Sequence, residues 1–306
     1  MNKNLLVTFG CSWTYGVGVD YKHGMLKKDY LKVNQNTDTA NSNSFRGIIA
    51  KDLQFDNRNF SKGASSNTAQ FRKAELYFTS QEFLNHQYDR VVVLWGITSL
   101  SRTELFSIQN NSMLDVFYNK NDTNYGKTYL KEHYDTNNEL RLLSNQINHW
   151  NHYFELLGVE NYWFDTFNHH DYPMYSYDNL DQTSYTSISG NDWPTYDYYK
   201  ENINSKTVEA INQEMFNMGC GKSIEKFNDT FLFFNNKPRD LLSKLCYYNN
   251  VQEFDNQYHN SDWSSDTARI DRLVEKNVLN PISFHPTQLG HKQIAEIIID
   301  SKILQR

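Results

Sequence analysis

The short apolar run from Leu5 to Phe9 passes directly into the turn Gly10-Cys11-Ser12. A run of this length that ends at a turn signal is typical of a buried strand. Buried strands of this kind belong to parallel sheets covered on both faces, and such sheets bind ligands beyond the carboxyl ends of their strands. The pattern therefore predicts that Ser12 presents its hydroxyl at a functional edge, although a helix N-cap role for this serine is equally compatible with the turn.

A histidine far along the chain is the natural partner for this serine. His285 immediately precedes Pro286, and proline is common at the first position of a helix, so a helix is predicted over 286–303. A serine and a histidine at the ends of predicted elements suggest a nucleophile and its general base. His291 is a competing base, but its place after Gly290 favours helix packing, so we expect His285 to act.

Apolar runs alternate with amphipathic segments in the order expected for a parallel sheet with helical crossovers. Strands are predicted at about 5–9, 56–60, 90–95 and 162–164, and helices at about 44–53, 67–84, 138–157 and 286–303. Three insertions are predicted: a polar loop at about 17–43, a second insertion at about 105–137, and an insertion or cap at about 168–235. We predict one α/β domain over 1–306, with three α/β/α layers and a mainly parallel sheet of five strands.

Composition argues against several classes of function. The formal net charge of −6 disfavours a nucleic-acid surface. The three cysteines (Cys11, Cys220 and Cys246) are widely spaced and show no metal-ligand pattern, which favours reduced thiols in the cytoplasm. No apolar run approaches membrane length, so we expect neither a signal peptide nor an anchor. The bias towards Asn, Tyr and Phe fits an AT-rich coding genome, and a viral source, with location in host cytoplasm or virion, is one hypothesis.

Two further polar blocks follow predicted strands. In Asn59 to Asn67, small residues let the backbone approach a ligand, and the N–H of Gly63 or Ala64 is a candidate donor to an oxyanion. A Gly/Ser loop that caps the next helix is the alternative. Beyond the strand at 90–95, Thr98 and Arg102 are expected where a substrate would lie. Pairing of Arg102 with Glu104 at the rim is the alternative there.

Together the four blocks resemble the motifs of the SGNH (GDSL-type) hydrolase family, which occur in this order on a flavodoxin-like sheet. Gly10-Cys11-Ser12 is similar to the nucleophile motif, Asn59 to Asn67 to the glycine block, Gly96 to Ser99 to the Gly-x-Asn-Asp block, and Phe284 to Pro286 to the histidine block. The resemblance implies a serine hydrolase without metal or cofactor, with catalytic Ser12 and His285. It also implies oxyanion and substrate contacts from Gly63, Thr98, Asn67 and Arg102.

The sequence departs from the family pattern at three places. Cys11 stands where the family has Asp, and Thr98 stands where it has the oxyanion Asn, a role for which Asn67 is a possible substitute. The triad acid is expected three residues before the histidine, where this chain has Ile282. Three interpretations stay open: a Ser-His dyad, a triad with a displaced acid, or a degenerate binding protein. The candidate acids are Asp262, Asp266 and Asp271.

The expected function is hydrolysis or transfer of an acyl group on oxygen, as in an acyl esterase, a deacetylase or an O-acyltransferase. The expected partner is a small-molecule or glycan ester, with no nucleic acid, no membrane and no cofactor. The alternative is a ligand-binding or virion-associated protein that keeps the fold without catalysis. A metal site built from His149, His152 and the run His169-His170-Asp171 is the weaker interpretation, because their spacing matches no strong ligand motif.

Overall fold

The computed structural model describes residues 4–33, 37–100, 102–107, 111–117, 136–166, 230–233, 240–251 and 263–301. The strands are β1 (Asn4–Phe9), β2 (Asp56–Asn59), β3 (Arg90–Ile97), β4 (Arg102–Ser107), β5 (Ser112–Phe117) and β6 (Glu160–Asp165). The helices are α1 (Ser12–Tyr15), α2 (Lys27–Val33), α3 (Thr37–Asn43), α4 (Phe45–Asp52), α5 (Asn67–Phe78), α6 (Gln81–Leu84), α7 (Thr136–Leu157), α8 (Leu241–Tyr248), α9 (Trp263–Glu275) and α10 (Gln288–Asp300).

The central sheet is parallel, with strand order β2-β1-β3-β6. This confirms the predicted α/β class and the mainly parallel sheet. In the described part of the chain this sheet has four strands, and the outer edge of β6 makes two further isolated parallel bridges, to segments on either side of residues 234–239, which lie outside the described residues. These bridges join Trp163 to Phe231 and Asp165 to Asp240.

Side chains of the central strands alternate between two buried cores, because successive residues of a strand point to opposite faces. On β1, for example, Leu6 enters one core while Leu5 and Val7 enter the other. The first core packs against α4, α8, α9 and α10, and the second against α5, α6 and α7. The sheet is therefore covered on both faces, which makes the three predicted layers.

The structure corrects several predicted elements. The region 17–43 is not only a polar loop, since α2 and α3 lie within it, anchored by the buried side chains of Tyr30 and Ala40. One or two apolar anchors in a seven-residue helix leave no detectable periodicity. The helix predicted over 67–84 ends at Phe78, because the Ser80 hydroxyl accepts the Phe83 N–H and starts a new helix.

Other elements were not predicted at all. The antiparallel hairpin β4–β5 occupies the start of the 105–137 insertion, and α8 and α9 precede the final helix. Most of the 168–235 insertion lies outside the described residues. Within the described ranges, no helix combines the length and apolar character that crossing a membrane requires.

Candidate active site

The strand order places three of the predicted blocks at one edge of the sheet. The chain runs from β1 to β2 on one side and then crosses to β3 on the other side of β1. In such a sheet the carboxyl ends of β1 and β3 flank a topological switch point, where α/β proteins bind their ligands. Ser12 follows β1 and Thr98 follows β3, so both residues border this crevice.

Ser12 is the first residue of α1 and its side chain is almost buried, with 8% exposed. Cys11, with extended backbone, is the N-cap, so the alternative in which Ser12 caps the helix is wrong. Among the described residues, neither the Ser12 hydroxyl nor its N–H has a hydrogen-bond partner. The Cys11 thiol points into the apolar core, which accounts physically for a small apolar side chain at a position where the family has Asp.

Two glycines make room for the helix that carries Ser12. A Cβ atom on Gly10 would lie 2.1 Å from Thr14 Oγ1, and one on Gly96 would lie 2.5 Å from the same atom. Both contacts are shorter than any real Cβ contact. Thr14 therefore sits against the ends of β1 and β3, and this close approach fixes α1 over the switch point.

A buried arginine holds the other end of α1. Arg46 Nε donates a hydrogen bond of 3.1 Å to the Thr14 carbonyl, and its Nη2 donates one of 3.1 Å to the Tyr15 carbonyl. These carbonyls belong to the last turn of the helix, where acceptors lack partners within the helix. Burial lowers the pKa of Arg46 to about 10, and Tyr15 partly opposes this shift, so Arg46 stays charged at neutral pH. Arg46 was not among the predicted site residues, because its only signal in the sequence is a charge within an apolar helix face.

The loop after α1 brings His285 to the same edge. Gly18 has a positive φ of 106°, and a Cβ there would lie 2.2 Å from the Pro286 carbonyl oxygen and 3.1 Å from the His285 Cβ. Residues at the two ends of the sequence are thus in direct contact through a position that only glycine fits. No hydrogen bond joins Ser12 Oγ to the His285 ring in the described part of the chain.

The His285 ring is half-buried and is held by a serine. Its Nδ1 lies 3.0 Å from Ser283 Oγ. Burial lowers the pKa of His285 to about 4, the Ser283 backbone opposes the shift, and the positive charge of Arg102 lowers it further. The imidazole is therefore neutral at neutral pH, which is the form a general base needs.

His291 is not placed to meet a substrate. Its side chain is fully buried, its ring stacks on Phe45, and its Nδ1 accepts the Phe45 N–H over 3.4 Å. Burial lowers the pKa of His291 to about 3, with the Val17 backbone opposing the shift. These contacts support His285 over His291 as the candidate base.

Thr98, Asn67 and Arg102 form a connected group, and the charge of Arg102 acts on His285. Asn67 Oδ1 accepts the Thr98 N–H over 2.9 Å and Asn67 Nδ2 donates to the Thr98 carbonyl over 3.0 Å, so the side-chain amide holds the loop after β3. Arg102 Nη1 donates to Thr98 Oγ1 over 3.1 Å. Glu104 instead forms a bidentate pair with Arg72 at 2.7 and 2.8 Å, so the Arg102–Glu104 pair considered as an alternative is wrong.

The glycine block lies next to the serine turn. The Lys62 N–H donates to the Gly10 carbonyl over 3.2 Å. A Cβ on the following Gly63 would meet nothing within 4 Å, and the Gly63 N–H has no acceptor among the described residues. A side chain at Gly63 would thus point into open space, and its neighbour Lys62 is bonded to the turn that precedes Ser12.

Only one of the three candidate triad acids is described with its side chain, and it is not placed at His285. Asp271 is exposed on α9, Asp262 lies outside the described residues, and the Asp266 side chain is likewise outside them. Among the described groups, the charge that shifts the His285 pKa is the cation of Arg102. The structure therefore supplies no carboxylate behind the imidazole within the part of the chain it describes.

Two buried carboxylates that the sequence analysis missed lie at the end of β6. Asp240 caps α8 by accepting the Ser243 N–H over 2.8 Å, and it pairs through the backbone with Asp165. Burial raises the pKa of Asp240 to about 6; its hydrogen bonds to Ser243 and the charge of Arg269 oppose the rise, and Asp165 adds to it. Asp165 and Asp240 thus connect β6 with α8 and α9, and we assign them a structural role.

The described residues contain no group of three metal-ligating side chains. His149 and His152 are exposed on α7, and the run at 169–171 lies outside the described residues.

Comparison with models of protein families and with curated proteins gives no match. Among solved structures, the chain is similar to a protein from Desulfitobacterium hafniense DCB-2 that is provisionally described as a lipolytic protein of the G-D-S-L family. The two chains are 13% identical, the alignment covers 99% of each, and the TM-score is 0.38. At this TM-score the likeness says nothing about the activity of this chain.

Proposed function

We propose that this protein is a serine hydrolase or acyltransferase of the SGNH type, which acts on an ester through an acyl-enzyme on Ser12 with His285 as general base. The observation that carries the proposal is the contact of Gly18 with His285 and Pro286. This contact brings the two ends of the sequence together beside the switch point, where Ser12 has no hydrogen-bond partner among the described residues.

In the proposed mechanism the neutral His285 ring removes the proton from Ser12 Oγ as that oxygen attacks the ester carbonyl. The N–H groups of Ser12 and Gly63, with the Thr98 hydroxyl, stabilise the oxyanion. The imidazolium then protonates the leaving alcohol, and water or an acceptor alcohol releases the acyl group. The Ser12–His285 hydrogen bond forms on substrate binding, since catalytic hydrogen bonds are often long before that step.

The proposed substrate is a small-molecule or glycan ester, and the chemistry requires neither a metal ion nor a cofactor. The proposal treats 1–306 as one domain, with 168–235 as an insertion or cap. A cytoplasmic location, in host cytoplasm or virion if the source is viral, is part of the proposal. It is supported by Cys11 and Cys246, which are buried and outside any disulfide.

The test is Ser12→Ala, assayed on a panel of short acyl esters and with a fluorophosphonate probe. Turnover and labelling should both disappear, while the free energy of unfolding changes by less than about 1 kcal/mol, because the hydroxyl has no partner to lose. The matched control is Ser42→Ala, since Ser42 is an exposed helix residue whose hydroxyl bonds its own helix. Retained turnover in Ser12→Ala would refute the nucleophile assignment.

One observation favours the second candidate, a ligand-binding protein that keeps the fold without catalysis. In the described part of the chain, Ser12 and His285 share no hydrogen bond and no carboxylate acts on the histidine. If the parent protein neither hydrolyses the ester panel nor reacts with the probe, while it still binds an ester or glycan ligand, this second function replaces the first.

A further inference from the structure

We propose that the hydroxyl of Ser283 is the group that orients His285, in the place where a triad carboxylate would ordinarily stand. The inference rests on the proposed function and adds a positioning residue to it. The Asn280 side chain lies at the base of the turn that carries His285, and its contacts determine which of the surrounding groups donate a proton and which accept one.

The Asn280 side chain is oriented unambiguously. Its Oδ1 lies 3.1 Å from the Ile282 N–H and 2.8 Å from the Ser283 N–H, and both backbone groups can only donate. Its Nδ2 lies 2.9 Å from the His285 carbonyl, which can only accept. The atom that faces Ser283 is therefore an oxygen and an acceptor.

The single proton of Ser283 is committed to this oxygen. Ser283 Oγ lies 3.0 Å from Asn280 Oδ1, in the geometry of a hydrogen bond that the hydroxyl donates to this acceptor-only oxygen. The remaining lone pairs of Ser283 Oγ face Tyr30 Oη at 3.1 Å and His285 Nδ1 at 3.0 Å. A hydroxyl with its proton already donated can only accept, so both of these groups donate to it.

The His285 tautomer follows from this arrangement. Nδ1 carries the proton, and Nε2 keeps its lone pair for the Ser12 hydroxyl, which is the arrangement a triad carboxylate imposes. The Ser283 backbone also favours the protonated ring, which agrees with an N–H that points towards Ser283.

The backbone of this turn is strained in a way that serves the contact. Phe284, between Ser283 and His285, has a φ of 55°. Bulky residues rarely adopt this conformation, and such strain persists where surrounding contacts enforce it. Hydrogen bonds of 2.9 Å from the Phe284 N–H to the Asn280 carbonyl, and from the Asn280 N–H to the His285 carbonyl, enforce it here.

Ser283 provides orientation without charge. Among the residues that the structure describes, the titratable and charged groups that act on His285 are Tyr30, which contacts it through Ser283, and Arg102 and His291, which couple to it electrostatically. None of these is an anion that would stabilise the imidazolium. We therefore expect a base that stays neutral well into the acidic range and an enzyme slower than one with a full triad.

The direct test is the tautomer of His285, measured by long-range proton–nitrogen NMR on the ¹⁵N-histidine-labelled full chain, with His285→Asn to assign the signal. At pH 7 the parent should show the proton on Nδ1. Ser283→Ala should lose that preference and Ser283→Thr, which keeps a hydroxyl, should restore it. A parent with the proton on Nε2, or a Ser283→Ala spectrum like the parent, would overturn the inference.

Kinetics provide the second readout. Ser283→Ala should lower kcat on a short acyl ester about tenfold, the effect of one neutral hydrogen bond, with KM within about twofold. Ser283→Thr should recover most of the loss, and parent-like kcat in Ser283→Ala would count against the inference. The NMR result does not require turnover, so failure of the proposed function, seen as activity in Ser12→Ala, is distinguishable from failure of the Ser283 assignment.

Discussion

Gly96 lies directly against Thr14, so that a Cβ on the glycine would come within 2.5 Å of the threonine Oγ1. The contact joins the end of β3 to the helix that begins at Ser12. The position of the helix that carries the proposed nucleophile therefore depends on glycine, with no side chain, at this point of the neighbouring strand.

Gly96→Ala should therefore lower the free energy of unfolding by about 1–3 kcal/mol, the usual cost of overpacking a core. Thr14→Ala in the same chain removes the clashing oxygen and should recover part of the loss; recovery stays partial because the Phe164 ring is also within 3.1 Å. Urea unfolding of the two single variants and the double variant measures the coupling. Gly63→Ala is the stability control, since a Cβ there meets nothing, and additive losses would contradict the prediction.

Arg46→Met should lower the free energy of unfolding by about 2–4 kcal/mol, because the Thr14 and Tyr15 carbonyls lose their buried donor. Arg46→Lys should recover part of this, since one ammonium cannot reproduce the spread of the guanidinium. Denaturant unfolding gives the values. The matched control is Arg58→Met, an exposed arginine paired with Glu82, which should change stability by no more than about 0.5 kcal/mol. Equal losses at both positions would show that burial of Arg46 contributes nothing.

The pH dependence of kcat/KM should show an acid limb near pH 4 and a plateau above it, because His285 must be neutral to accept a proton and burial lowers its pKa to about 4. Arg102→Gln removes a positive charge that lowers this pKa, so its acid limb should move to higher pH. The loss of the Thr98 contact can also reduce the plateau rate, so the position of the limb is the measurement. The control is Arg58→Gln. If the acid limb of Arg102→Gln stayed at the parent's pH, the charge of Arg102 would not contribute to the pKa of His285.

Stability should fall as pH drops from 6.5 towards 4.5. Folding lowers the pKa of His285 to about 4 and that of His291 to about 3. Between these values and pH 6.5 the unfolded chain therefore binds more protons than the folded chain, and acid favours unfolding. Asp240 has the opposite effect, because folding raises its pKa to about 6. As pH falls from 6 to about 3.8, the folded chain takes up this proton before the unfolded chain does, and the folded state is stabilised. Two histidines outweigh one carboxyl, so a net loss is expected.

His291→Gln tests this balance, because its neutral amide can still accept the Phe45 N–H. The loss of stability between pH 6.5 and 4.5, measured by urea unfolding, should be smaller than in the parent by roughly 2 kcal/mol. The matched control is His152→Gln, which removes an exposed histidine and whose slope is compared with that of the parent. If His291→Gln kept the parent slope, His291 would not be the group that titrates on unfolding.

Much of the architecture was readable from local patterns. The valine-rich run in β3 and the apolar run of β1 have the length and turn boundaries of buried strands, and α4, α7 and α10 carry periodic apolar faces. The serine and the histidine stood out because each follows or precedes such an element. Short helices such as α2 escaped detection because their stabilising contacts, such as those of Tyr30, come from distant parts of the chain.

Local hydrophobic periodicity and turn chemistry were enough to predict the fold class, the parallel order of the elements and the choice of Ser12 and His285 as candidates. Three contacts became visible only in the folded molecule: Gly18 packs on His285, Arg46 holds the end of α1, and Ser283 faces the imidazole. Arg46 lies 31 and 32 positions along the chain from its partners, and no local pattern encodes which buried acceptor a distant donor will meet. Even Ser283, two residues from His285, is turned towards it by a positive φ at Phe284 that the Asn280 hydrogen bonds impose.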